Sequence, residues 1–115
     1  MNSRDVKKLL FDMEKACSRI VKFTEGCTLD AFLSNEMLQS AVERQSEIIG
    51  EALNQALGLD HSLSERITDV RTIIAFRNRL IHGYASVAAE VVWGIAINDV
   101  PILHAEVRAI MSETP

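Results

Sequence analysis

The run VKKLLFDMEKACSRIVKFT, residues 6–24, decides the fold class, because Val6, Leu9, Leu10, Met13, Cys17, Ile20 and Val21 recur at spacings of three and four. On a helix of 3.6 residues per turn those positions form one apolar stripe, the mark of a helix with a single buried face. Gly26 is placed to stop this helix. Thr28 then caps a short turn through Asp30, Ala31, Phe32 and Leu33.

The same reading extends to the rest of the chain. Ser34 and Asn35, with Glu36 behind them, are start signals for a long helix over Glu36 to Leu57, and Gly58 is its expected left-handed stop. Its stripe includes Leu38, Val42, Ile49, Leu53 and Ala56. Gly50, in the middle, weakens the helix but permits another helix to come close. Ser62 and Glu65 have capping-box spacing, which predicts that a third helix begins there and carries Ile67, Val70, Ile73, Ile74, Leu80 and Ile81. A last helical segment is expected from about Val87 to Met111, with Pro101 kinking or restarting it and Asn98 or Asp99 as a cap. Short connections between four main helices predict an all-α up-and-down bundle, one domain over residues 1–115.

Composition narrows the class. With 48% hydrophobic and 24% charged residues the chain has globular usage, and two prolines and five glycines are too few for a turn-rich all-β fold. The opening Met1-Asn2-Ser3-Arg4-Asp5 is polar and no stretch is apolar enough to span a bilayer, so a cytoplasmic protein without a membrane partner is expected. Cys17 and Cys27 have no metal-ligand spacing, and both are expected to be reduced, one buried and one in a loop. A formal net charge of −4 argues against a general nucleic-acid coat, so any contact with RNA must be local.

The chemistry-bearing stretch is Arg77-Asn78-Arg79-Leu80-Ile81-His82-Gly83-Tyr84. It gathers a permanent cation, an imidazole that titrates near neutrality and a phenol. Cleaving RNA without a metal requires a base for the 2′-hydroxyl, an acid for the leaving oxygen and a cation for the charge that grows on the phosphoryl oxygens. His82 and Arg77 suit those roles. At about 100° per residue the two lie roughly 140° apart around a helix, so one helix makes a poor site. A two-fold axis would bring an arginine and a histidine from each protomer into one cleft. Asn78 shares the face of His82 and suits a positioning role. Tyr84 returns to the face of Arg77 if the helix persists.

The run resembles the R-x4-H-x-Y motif of HepT-like proteins, toxins of the HEPN superfamily. Phe23-Thr24-Glu25-Gly26, Ile48-Ile49-Gly50-Glu51-Ala52, and Val91-Val92-Trp93 followed by Asn98-Asp99-Val100-Pro101 resemble family signatures in the same order, so nearly the whole chain is covered. The resemblance implies a HEPN-like helical homodimer or higher oligomer acting as a metal-independent endoribonuclease that needs no cofactor. It also implies a minimal nucleotidyltransferase antitoxin as partner, transferring AMP to the motif tyrosine, here Tyr84. Gly83 departs from a stiffer segment and either loosens the site or helps Tyr84 swing outward.

Plainer readings stand beside these. Arg77 and His82 also suit a solvated helix end, where cations favour the C-terminal dipole. The Tyr84 ring can simply pack with its hydroxyl in water. Glu47 and Glu51 share a helix face and read as surface or arginine-pairing residues rather than catalytic ones. His61 and His104 read as surface residues, and Trp93 as packing. The competing function is a noncatalytic helical module that binds a nucleotidyltransferase or a nucleotide.

Overall fold

A computed structural model describes residues 3–82 and 87–113, and among these every regular element is helical. Helix α1 spans Ser3–Thr24, α2 Leu29–Leu33, α3 Glu36–Leu59, α4 Val70–His82, α5 Ala89–Gly94 and α6 Val100–Ser112. A single 3₁₀ turn, His61–Glu65, follows α3, and a π turn, Ile95–Asp99, joins α5 to α6 into one rod. The four long pieces, α1, α3, α4 and this rod, make the up-and-down bundle, with α3 packed on both α1 and α4 and α6 packed on α1.

The starts of the early helices follow from local chemistry. Gly26 takes a φ of +71°, a backbone region that costs glycine little, and the chain turns there out of α1. The Thr28 hydroxyl accepts from the Ala31 N–H at 3.2 Å, and the Asn35 side-chain oxygen accepts from the Leu38 N–H at 3.0 Å. Each satisfies a donor that the first turn of a helix leaves without a partner.

Two boundaries differ from the sequence reading, one for a local reason and one for a tertiary reason. Helix α3 runs through Gly58 and ends at Asp60, whose extended backbone lets its carboxylate accept from the Ser62 N–H and hydroxyl at 3.0 and 2.6 Å. Ser62 therefore lies inside the 3₁₀ turn that Asp60 caps, and α4 begins at Val70. Between them Ile67 drops into the core while the Thr68 N–H and hydroxyl are held by Glu106 of α6, at 3.2 and 2.6 Å, which diverts the backbone from a helical path. At Pro101 the rod restarts as α6, with the proline in its first turn as expected, but without the expected side-chain cap. The Val100 N–H reaches back to the Ile95 carbonyl, a widened turn that absorbs a residue unable to donate, and Asp99 makes no capping bond.

The core is one cluster drawn from every long helix: Met13, Cys17 and Ile20 from α1, Val42, Ile49 and Leu53 from α3, Ile73 and Phe76 from α4, and Leu103 and Val107 from α6. Fully burying side chains of this size contributes about 1.5–3 kcal/mol each. Burial pushes the Cys17 thiol up to about 12, aided by the charge of Glu14, so it is an inert core residue. Cys27 is also a free thiol, half-buried in the turn after α1. Phe32 of α2 is fully buried and tilts against Trp93 of α5, ring centroids 5.2 Å apart. His104 is not a plain surface residue. Its side chain is only 17% exposed and its Nε2 lies 2.8 Å from Glu14 Oε2, tying α6 to α1.

Candidate active site

The second half of α4 carries Arg77, Asn78 and His82, and its apolar face, Ile73 and Phe76, is anchored in the core. Where α4 crosses α3 the crossing point is Gly50. A Cβ built on Gly50 would overlap Cβ and Cγ of Arg77, so the absence of a side chain there is what seats the arginine stem. Gly50 costs helix propensity and serves the close approach that its mid-helix position predicts.

The Arg77 side chain is 21% exposed. Its Nη2 is ion-paired with Glu51 Oε2, and its Nη1 donates to Asn78 Oδ1 at 2.8 Å. Its Nε is buried and has no hydrogen-bond partner among the described residues. Glu51 Oε1 accepts from Gln55 Nε2 at 2.9 Å, one turn further along α3. That hydrogen bond, together with the charge and donors of Arg77, holds the Glu51 carboxyl below its usual range against a smaller effect of burial. A carboxyl lowered in the fold stabilises it above the ordinary glutamate value of about 4.3, and that contribution fades as pH falls through the lowered value. The Glu51 carboxylate is therefore ionised at neutral pH.

His82 lies on the last turn of α4 and is exposed. The structure thus brings together Arg77 and Asn78, with Glu51 added, and places His82 five residues further on, at the end of α4. Gly83 and Tyr84 lie outside the described residues. Asn78 turns its side-chain oxygen to Arg77. Glu51 proves to be an arginine-pairing residue; Gln55 carried no signal beyond lying four positions after it.

Beside this cluster an open groove of about 560 Å³ runs between α1 and α3, reaching Ile81 of α4 at its edge. Its cations, Lys8 and Arg44, are paired with Asp12 and Glu47 at 3.4 and 3.3 Å. With Asp5 and Glu51 also lining it, the groove has an acidic balance and does not suit a polyanion, whose binding rests on local excess cations. Among the described residues no helix is long and apolar enough to cross a membrane.

Fold and site together define an all-helical bundle whose penultimate long helix ends in an arginine-to-histidine motif, the arginine seated on the neighbouring helix. The chain belongs to the HepT-like ribonuclease family, whose description, "Ribonuclease HepT-like", it matches over residues 13–110. Two inferred RNases of Methanocaldococcus jannaschii are each 32% identical to it, one over 96% of this chain and 100% of the relative, the other over 98% and 93%. The protein named "Probable ribonuclease HepT" of Thermococcus cleftensis is 33% identical over 87% of this chain and 90% of its own length. No solved structure matches the chain.

Proposed function

We propose that this protein is a metal-independent endoribonuclease, the cytoplasmic toxin of a toxin–antitoxin pair, with its active site in the cleft of a homodimer. The single observation that carries this reading is the Arg77-x4-His82-x-Tyr84 motif with its arginine held on the Gly50 shelf and its histidine exposed on the last helical turn. Two such helix ends facing one two-fold axis supply two imidazoles and two guanidinium groups. One His82 takes the proton of the ribose 2′-hydroxyl as that oxygen attacks the adjacent phosphorus. The partner's His82, protonated, gives its proton to the departing 5′-oxygen, leaving a 2′,3′-cyclic phosphate and a 5′-hydroxyl. Arg77 donates to the phosphoryl oxygens as their charge grows, and the Asn78 amide N–H groups help place the same phosphate.

Regulation follows from Tyr84. A minimal nucleotidyltransferase transfers AMP from ATP to the Tyr84 hydroxyl, releasing pyrophosphate. The added phosphate then competes for Arg77 and blocks the RNA, which is an off-switch. The acidic groove between α1 and α3 supports a division in which RNA is engaged only at the motif end of the bundle.

The test is cleavage of total cellular RNA by purified protein in EDTA, with His82→Ala beside the wild type and a repeat after incubation with the nucleotidyltransferase and ATP. Expected are EDTA-resistant cleavage, a loss of about 10²- to 10⁴-fold in the variant, and silencing after AMP transfer. A folded, unmodified wild type that leaves RNA intact would move the reading to a noncatalytic module that binds the nucleotidyltransferase or a nucleotide.

A further inference from the structure

We infer that Glu51, backed by Gln55, is a positioning residue for the reaction: it sets the plane of the Arg77 guanidinium so that its remaining donors meet the phosphate. This inference rests on the ribonuclease reading above and assigns a role to a residue outside the motif.

The stem and the head of Arg77 are held by different groups: Gly50 of α3 seats the stem, and Glu51 of α3 with Asn78 of α4 holds the head. Gly50, having no side chain, leaves the space that Cβ and Cγ of Arg77 occupy. Glu51, the next residue, takes Nη2, while Asn78 takes Nη1 at 2.8 Å. Each terminal nitrogen of a guanidinium carries two hydrogens, so after these two bonds one N–H on each remains for a phosphate. The Glu51 carboxylate is itself oriented. Gln55 donates to Oε1 at 2.9 Å, leaving Oε2 for the arginine. The chain Gln55 to Glu51 to Arg77 thus removes rotational freedom from a long side chain before substrate arrives. Arginine in this setting is 21% exposed, enough for contact with a phosphate yet enclosed enough that its orientation is set by these partners.

A carboxylate beside a phosphate-binding cation also has a rival effect, competition. The two differ in sign. A positioning residue raises kcat with little effect on KM, whereas a competitor weakens substrate binding, so that its removal lowers KM.

The experiment compares wild type, Glu51→Ala, Glu51→Gln and Gln55→Ala in RNA cleavage, each also combined with Arg77→Ala, with folding checked by circular dichroism. In parallel, NMR follows the Arg77 side-chain N–H signals in wild type and Glu51→Ala. Expected is a fall in kcat of about 10- to 100-fold for Glu51→Ala, KM nearly unchanged, partial retention in Glu51→Gln because an acceptor remains, and a smaller loss in Gln55→Ala. In the Arg77→Ala background the Glu51 substitutions should add nothing, and the Arg77 signals should broaden when Glu51 is removed. Equal or higher activity with lower KM in a folded Glu51→Ala protein would overturn the inference and leave the ribonuclease reading standing, as would losses additive with Arg77→Ala or unchanged Arg77 signals. An inactive wild type overturns the ribonuclease reading, and this role with it.

Discussion

Replacing Gly50 with alanine adds one methyl group where α3 and α4 cross, and two opposed effects can be set against each other. Alanine is favoured over glycine inside a helix by about 1 kcal/mol, so at an open position Gly50→Ala would stabilise the protein. Here the new Cβ overlaps Cγ of Arg77 and, more severely, its Cβ, which is bonded to the backbone and cannot swing aside, while the nearest main-chain atom, the Ile73 carbonyl oxygen, sits at an ordinary 3.5 Å. Relief requires α4 to move as a unit, and forced overpacking of this kind costs about 1–3 kcal/mol. The balance is a net loss of about 1 kcal/mol, or roughly 4 °C in melting temperature for a domain of this size. Activity should suffer more than stability, because moving the guanidinium by about 1 Å costs on the order of 100-fold in rate. Thermal denaturation followed by circular dichroism, with RNA cleavage measured well below the transition, separates the two. A Gly50→Ala protein that melts higher than wild type and cleaves normally would refute the close-approach account of this glycine.

Two further perturbations test other parts of the fold. His104→Ala removes the partner of the half-buried Glu14 carboxylate and should lower stability by about 1–2 kcal/mol, with Glu14→Ala adding little in that background; denaturant titrations of the single and double variants check this. Asp99 is pushed up by burial first, then by its hydrogen bond with Asp69 and that neighbour's charge, so its ionised form is disfavoured in the fold at neutral pH. Asp99→Asn should therefore raise the melting temperature near pH 7. That gain should shrink as pH falls through the raised value towards the ordinary aspartate range near 3.9, where the native carboxyl is already protonated.

Much of the bundle is legible in the order of residues alone. The stripe from Val6 to Val21, the turn at Gly26 and the caps at Thr28 and Asn35 depend on groups three or four positions apart, and such contacts form wherever the chain goes. The run from Arg77 to Tyr84 carries its chemistry in the same way, as residue types at fixed spacing. The elements that escape this reading depend on a competing local cap or on distant partners. Gly58 looks like a helix stop and is not one, because Asp60 ends α3 while capping the turn after it. Ser62 looks like the start of α4, but Thr68 is held by Glu106, which is 38 positions away. His104 looks like a surface residue until the fold sets it beside Glu14. In the site, the sequence by itself determined which groups are present and that Arg77 and His82 diverge around one helix. Only the tertiary structure decided that Arg77 lies on Gly50 and is held by Glu51, because a contact between positions 26 apart exists only once α3 and α4 have packed.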